Sequence, residues 1–309
     1  MTVLVTGATG FLGRHVVQQL LETNHEVRAM VRRPGSESVF PTPPTDVCYG
    51  NVTDPDAVVE ACRGVSEIIH LVAVIRGGQR QFDAINRQGT ANVVAAAKEA
   101  GSIRRFVHVS ALGADNAPNL QYLHSKWLGE QEVINSGLPY AIIRPSLIFG
   151  PGDEFSNAVA ALVRSSPITP VIGSGNNRLQ PIHVEDVARC VGLSLSGNTR
   201  GNITVAIGGP DQLSYSEILR IVARTMGHRR LRINVPIWKM RLPIAMMEML
   251  TPRPPINRAM LQLITLRNVA ELDSVERVFG FPPRSFASNI DYVKTMTFGQ
   301  ALRANLGLS

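Results

Sequence analysis

The sequence is poor in lysine, cysteine and aromatic side chains, and it has no long apolar run. Only Lys98, Lys126, Lys239 and Lys294 occur among 31 basic residues, so arginine supplies 27. No dense Lys/Arg tract is present, which argues against nucleic acid as a partner. With 24 acidic residues the formal charge is +7, an excess that serves solubility and names no partner. Cys48, Cys62 and Cys190 are scattered, without CxxC or His/Cys spacing. Neither a disulfide framework nor a metal site is expected. No stretch reaches the ~20 apolar residues of a membrane span. The chain opens on the strand-like Met1-Thr2-Val3-Leu4-Val5 rather than on a basic, apolar leader. These absences predict a cytoplasmic protein in reducing surroundings. What is present, 44% apolar and 18% charged residues over 309 positions, suits a globular chain with a full core.

Through the first half, short apolar runs alternate with helical segments, the pattern of a parallel sheet covered on both faces. Strands are predicted at 3–6, 27–31, 47–49, 68–72, 105–110 and 140–144. Helices are predicted at 11–22, from Pro55 behind the cap Asp54, at 82–100 before Gly101, and at 122–135. Beyond Gly150 the pattern loosens. Helices fit 156–164, 187–195, 214–226 and 285–295, and strands fit 181–184 and 203–207. Pro and Gly cluster at 150–152, 167–175 and 252–255, which read as loops. The expected fold is α/β: a doubly wound parallel-sheet Rossmann domain with a smaller, discontinuous α/β substrate domain. Residues 1–150 make the first, with 176–210 returning to it; 151–175 and 211–309 make the second.

Gly7, Gly10 and Gly13, interleaved with Thr9, Phe11 and Leu12, follow the first strand and open an amphipathic helix. That context gives a glycine-rich turn the meaning of a dinucleotide site. Glycine permits the tight turn, the close approach of backbone to pyrophosphate and close helix packing. The helix N-terminus then offers free N–H groups to the phosphates. At the end of the second strand, where an NAD site usually places an acid, stand Arg32 and Arg33. A guanidinium can pair with a 2′-phosphate, so NADP(H) is favoured over NAD(H), with Arg32 ahead of Arg33. Asn51 and Val52 would border the adenine, and Leu71, Val72 and Ala73 would lie along the cofactor. Ligand is expected at the carboxyl ends of the strands, where the strand order reverses. His70 reads as a packed strand-end residue.

Tyr122 and Lys126 stand at i and i+4, on one face of a helix. A neighbouring ammonium favours the phenolate and should lower the phenol pKa. Such a tyrosine could exchange a proton with a carbonyl or alcohol while hydride moves. Ser110, at the end of the fifth strand, could hold the substrate oxygen.

Taken together, several segments resemble the extended branch of the short-chain dehydrogenase/reductase superfamily, the NAD-dependent epimerase/dehydratase-like proteins. They are the glycine fingerprint, His70-Leu71-Val72-Ala73, Asn86-x-x-Gly89-Thr90-x-Asn92-Val93, Ser110, the Tyr-x-x-x-Lys pair and the run from Arg144 to Gly152. Arg178-x-x-Pro181-Ile182-His183-Val184-Glu185-Asp186-Val187-Ala188 extends the likeness, which is good over 1–210 and loose beyond. Ile75-Arg76, the 110–114 stretch and the 178–188 segment look most like an atypical group. That group includes the Rossmann-type accessory subunit of respiratory complex I and its free-standing bacterial relatives. The resemblance implies Tyr122 as acid/base, Lys126 on the nicotinamide ribose, Ser110 orienting substrate, and Pro145 with Ser146 bordering the nicotinamide. Ala111 departs from the pattern, since many extended members carry a catalytic Ser or Thr there. Asn86 has two readings, support of a relay water or a hydrogen bond to a backbone group of the fourth strand. Asp186 is expected to cap a helix and His183 to pack in a strand, with no metal.

Three main function classes follow, beside a weaker fourth, an NADPH sensor that regulates a partner. One is an NADP(H)-dependent oxidoreductase or isomerase on a small carbonyl or quinone-like compound. Another is a cofactor-holding accessory protein of a respiratory or membrane complex. The third is a nucleotide-sugar epimerase or dehydratase, against which the short 110–122 interval speaks. The Met-rich apolar segment 235–265 also has two readings. It is a helix pair over the substrate cleft, or else an apolar substrate pocket or an interfacial patch that meets a membrane or partner, the basic neighbours Arg229, Arg230, Arg232, Lys239 and Arg241 suiting peripheral association with anionic lipid. Oligomeric state stays open.

Overall fold

The computed structural model describes residues 1–195, 201–250, 260, 261, 264 and 266–305. The longer strands are β1 (Thr2–Thr6), β2 (Glu26–Val31), β3 (Asp46–Tyr49), β4 (Glu67–His70), β5 (Arg105–Val109), β6 (Tyr140–Pro145), β7 (Ile168–Ile172), β8 (Ile203–Ile207) and β9 (Leu231–Val235). The helices that matter here are α1 (Phe11–Glu22), α2 (Pro55–Cys62), α3 (Gln79–Phe82), α4 (Gly89–Ala100), α5 (Gln121–Ile134), α6 (Glu154–Ser165), α7 (Val184–Leu193), α8 (Tyr215–Thr225) and α9 (Ile237–Leu250). Two compact units result. One comprises Met1–Pro145, Val184–Ile207 and Asp273–Phe281; the other comprises Ser146–His183, Gly208–Leu272 and Pro282–Ser309.

The first unit is built on a seven-stranded sheet of order β8-β6-β5-β4-β1-β2-β3, with every pairing parallel. The order reverses between β1 and β4. That is the doubly wound Rossmann arrangement, and its ligands sit at the reversal. The central strands are buried on both faces, as their unbroken apolar runs require. On one side α1 packs against α7. On the other, Val58 and Ala61 of α2 and Val93 and Ala97 of α4 join Leu4, Ile68, Phe106 and Ile142 in one core. Asp54 accepts from the Ala57 N–H at 3.3 Å and Pro55 fills the first turn, so α2 starts where the sequence puts it.

The second unit has its own core, in which Phe149, Phe155, Val159, Ile218, Leu219 and Phe286 meet. A capping box starts α8: Ser214 accepts from the Glu217 N–H, and Glu217 returns the bond. Two expectations fail here. Residues 167–175 are not all loop, because Ile168–Ile172 forms β7 against β9. Its partner lies some sixty residues on, and Pro170 masks the pattern. The 285–295 helix is reduced to a 3-10 turn at Asp291–Thr295. A third expectation fails in the first unit, where Asp186 lies inside the first turn of α7 rather than capping it. The predicted 252–255 loop lies outside the described residues.

Candidate functional site

After β1 the chain turns through Gly7 at φ +75°, and the Gly10 N–H donates to Gly7 O at 3.0 Å. A Cβ on Gly13 would lie 2.2 Å from Gly7 O and 2.6 Å from Ala8 O. One on Gly7 would lie 3.1 Å from Val72 N. Glycine is therefore demanded where α1 meets the turn, and the turn presses on the segment after β4. The α1 N-terminus has no side-chain cap and no acid in its first turn. Its N–H groups and the positive end of its dipole face outward beside Thr9 and the half-buried Phe11 and Leu12. This side-chain-free cradle fits a pyrophosphate.

Arg32 and Arg33 follow β2, exposed and without an ion pair among the described residues. Arg28, by contrast, is committed to Asp46 at 2.6 Å. Asn51 is exposed beside the buried Val52, whose carbonyl accepts from Asn92 Nδ2 at 2.8 Å. Leu71 donates its N–H to Thr6 O at 3.1 Å, which leads the half-buried Leu71 and Val72 and the exposed Ala73 past the glycine turn.

A buried polar chain supports this corner. Thr90 Oγ1 donates to Asn86 O at 2.7 Å, so it accepts from His70 Nε2 at 3.0 Å. His70 Nδ1 then accepts from Thr6 Oγ1 at 2.7 Å. Burial pushes His70 down to about 3, so the ring is neutral and structural. It stacks on His108 at 5.4 Å, and neither His108 ring nitrogen finds a partner among the described residues.

Between α3 and α4 the helix widens into a π-helical stretch, Asp83–Gln88, which carries Asn86. Its amide accepts from the Val74 N–H at 2.8 Å and donates to Val74 O and Ser125 Oγ at 3.0 and 2.9 Å. Asn86 does bond to backbone, but at Val74, past the end of β4, rather than within the strand. It ties the segment after β4 to α5.

α5 aligns Tyr122, Lys126 and Glu130 on one stripe. Tyr122 is 9% exposed, and its ring stands edge-on to Phe82. Lys126 is 1% exposed and donates to Val109 O at 2.8 Å. The adjoining Ser110 Oγ is buried with no partner among the described residues, and Ala111 after it is half-buried. Burial lowers Lys126 to about 8, against a smaller opposing effect of Glu130. Burial also pushes Tyr122 up to about 12. The expected lowering of the phenol by Lys126 is thus reversed here, because desolvation of a phenolate dominates. Sequence reasoning missed Glu130. It is fully buried and paired through both carboxylate oxygens with Arg144 of β6, Nε to Oε1 at 2.8 Å. The 122/126/130 spacing was the available signal. Pro145 ends β6, while Ser146, in the second unit, donates to Asn268 Oδ1 at 2.7 Å. No cluster able to hold a metal occurs among the described residues.

Comparison with known proteins agrees with this fold. A model of the NAD dependent epimerase/dehydratase family matches residues 3–208. Ceramide reductase of Caulobacter vibrioides is 32% identical over 235 residues, covering 76% of this chain and 73% of that protein. NADH dehydrogenase [ubiquinone] 1 alpha subcomplex subunit 9 of Arabidopsis thaliana is 30% identical over 231 residues, 71% of this chain and 56% of that one. The structure of MoeE5 in complex with UDP-glucose and NAD superposes with a TM-score of 0.74 at 22% identity, over 95% of this chain and 97% of that one, a likeness of fold. With its glycine cradle, its sheet order and these relatives, the chain belongs to the NAD dependent epimerase/dehydratase family, the extended short-chain dehydrogenase/reductases.

Proposed function

We propose that the chain is an NADP(H)-dependent oxidoreductase acting in the cytoplasm on a small carbonyl or quinone-like substrate. One observation carries this reading. The Lys126 ammonium is anchored on Val109 O, beside a buried Ser110 hydroxyl that is unpaired among the described residues, with Tyr122 one helical turn before it. Ser110 Oγ would hold the substrate oxygen, and Tyr122 Oη would give that oxygen a proton in reduction. Lys126 would support the phenolate left behind and bind the nicotinamide ribose. The nicotinamide, when bound, supplies or accepts the hydride. Gly7, Gly10 and Gly13 would hold the pyrophosphate and Arg32, then Arg33, the 2′-phosphate. Asn51 and Val52 would border the adenine, Leu71 to Ala73 would lie along the cofactor, and Pro145 with Ser146 would border the nicotinamide. The reductase named among the relatives supports reductive chemistry.

A second reading is favoured by the plant NADH dehydrogenase subunit and by Ala111: a cofactor-holding accessory protein of a respiratory complex. Nucleotide-sugar chemistry rests on family membership alone. The deciding experiment follows NADPH and NADH oxidation by the purified chain over a carbonyl and quinone panel. Turnover with NADPH, cut roughly 100- to 10,000-fold in Tyr122→Phe, is expected. Tight NADPH retention with no turnover across the panel would overturn the enzyme reading in favour of the accessory one.

A further inference from the structure

The second unit carries a cavity of about 550 Å³ lined by Arg220, Arg224, Arg229, Arg230, Arg232 and His228, with no carboxylate among its described lining residues. Arg220 and Arg224 lie one turn apart on α8, and the other three arginines follow within eight residues of Arg224. Guanidinium groups do not discharge, so five like charges share one concave surface. His228 Nε2 accepts from Arg164 Nη1 at 3.1 Å, so a further arginine stands behind this lining residue. Such a wall is complementary to phosphate oxygens.

The chain leaving this cavity is apolar and exposed. On the β7–β9 ribbon Leu231 stands opposite Ile168, and Leu231, Ile233 and Ile168 are 64, 46 and 43% exposed. Pro236 then leads into α9. At 100° per residue, Trp238, Leu242, Met246 and Met249 fall within ~80° of one another. All four are exposed, by 53 to 87%. On the opposite side Ile244 is buried, and Ile237 and Met240 pack against the unit's core. α9 is therefore apolar on two sides and buries one of them. An exposed apolar stripe of this extent calls for a partner.

A soluble anion would account for the arginines and leave the stripe exposed. A second copy of the chain would cover the stripe but bring one arginine wall towards another. A phospholipid surface of negative charge accounts for both. Its phosphates face the arginines, and its headgroup–acyl boundary takes a tryptophan and a line of Leu and Met side chains. Lys239 Nζ lies 5.3 Å from the Trp238 ring, one more cation where headgroups would sit. We propose that the second unit docks on an anionic phospholipid surface, with the arginine cavity holding headgroup phosphate and the exposed face of α9 entering the interface. This inference does not depend on the oxidoreductase reading.

The test is co-sedimentation of the full chain with vesicles of phosphatidylcholine alone and of phosphatidylcholine with phosphatidylglycerol. Capture by the anionic vesicles alone is expected, with release by added salt and a blue shift of tryptophan emission that Trp238→Phe removes. Arg229→Ala and Arg232→Ala should each weaken capture roughly fivefold. Leu242→Ser with Met249→Ser should weaken it further while leaving the melting temperature near that of the parent. Were a variant to lose its fold, the lipid-composition and salt series on the unaltered chain would still decide. Equal capture by both vesicle types would overturn the proposal. So would failure of capture alongside stoichiometric binding of inorganic pyrophosphate, which assigns the cavity to a soluble anion. A dimer broken by Leu242→Ser, without vesicle capture, would assign the stripe to a second copy.

Discussion

Lys126 Nζ donates a 2.8 Å hydrogen bond to Val109 O, which fixes a fully buried ammonium one residue before Ser110. That position has a thermodynamic cost. Burial sets Lys126 at about 8 in the fold, against an ordinary 10.5. Between those values the unfolded chain binds more protons than the folded one, so stability rises with pH across that window. The gap corresponds to roughly 3 kcal/mol, fully present as a penalty below about pH 8. Lys126→Met removes it and leaves Val109 O unpaired, a loss of about 1–3 kcal/mol. Urea unfolding from pH 7 to 10.5 should show the parent gaining on the Met variant as pH rises. Parallel curves would refute the buried ammonium.

The same two pKa values predict a pH profile. Tyr122, at about 12, is a neutral donor throughout the physiological range, which suits reduction. Lys126 discharges near 8 and then ceases to support the phenolate. The kcat/KM for reduction should be level below about pH 8 and fall above it. Tyr122→Phe should lose turnover while its NADPH affinity, measured by fluorescence titration, stays within a few-fold of the parent. A profile flat to pH 10 would separate Lys126 from the proton transfer.

Arg32 makes the cofactor choice testable. It is exposed and holds no ion pair among the described residues, so no fold energy rides on it. Arg32→Ala should weaken NADPH binding roughly ten- to a hundredfold, the value of a charge-assisted phosphate contact, and leave NADH unchanged. Equal affinity of the parent chain for the two cofactors would remove the basis for preferring NADP(H).

The parts of this molecule that were legible in sequence are those set by local rules. The glycine turn, the Asp54–Pro55 start and the buried strands of the first unit each follow from a few adjacent residues. What escaped depends on distant partners. β7 exists because β9 completes it, and its own Pro170 argues against it. The π-helical stretch that aims Asn86 at Val74 leaves no mark in a pattern of apolar spacing. Glu130 owes its burial to Arg144, which only the folding of β6 brings to it. The desolvation that reverses the expected direction of the Tyr122 shift is also a property of the packed fold, not of the i,i+4 spacing.

The glycine cradle predicts a graded response. A methyl group on Gly13 would meet Gly7 O at 2.2 Å, and one on Gly10 would meet the same atom at 3.1 Å. Backbone, not a flexible side chain, is the obstacle in both cases. Gly13→Ala should cost about 1–3 kcal/mol of stability and displace the turn that would hold the pyrophosphate. Gly10→Ala should cost less. Thermal denaturation and NADPH titration of the two variants should therefore rank in that order. The reverse order would mean that α1 does not approach the turn as closely as the fold requires.

Asp153 gives the second unit an acid-sensitive term of unusual sign. Its carboxylate is buried and accepts from Tyr292 Oη at 2.5 Å, the Ser156 N–H at 2.5 Å and the Gly150 N–H at 3.2 Å. Burial nevertheless dominates and raises it from an ordinary 3.8 to about 6. A carboxyl whose folded pKa exceeds its unfolded value binds protons more tightly in the fold. Its stabilising contribution is complete below about pH 4 and is lost as pH rises through about 6. The gap corresponds to roughly 3 kcal/mol. Asp153→Asn removes the titration, so the parent's stability relative to this variant should fall between pH 4 and pH 6. Other titrating groups cancel in that difference. Tyr292→Phe removes a donor that favours the ionised form, and should move the same transition to higher pH. A parent-minus-variant difference that is level across the window, measured by denaturant unfolding, would place the Asp153 carboxyl in contact with water instead.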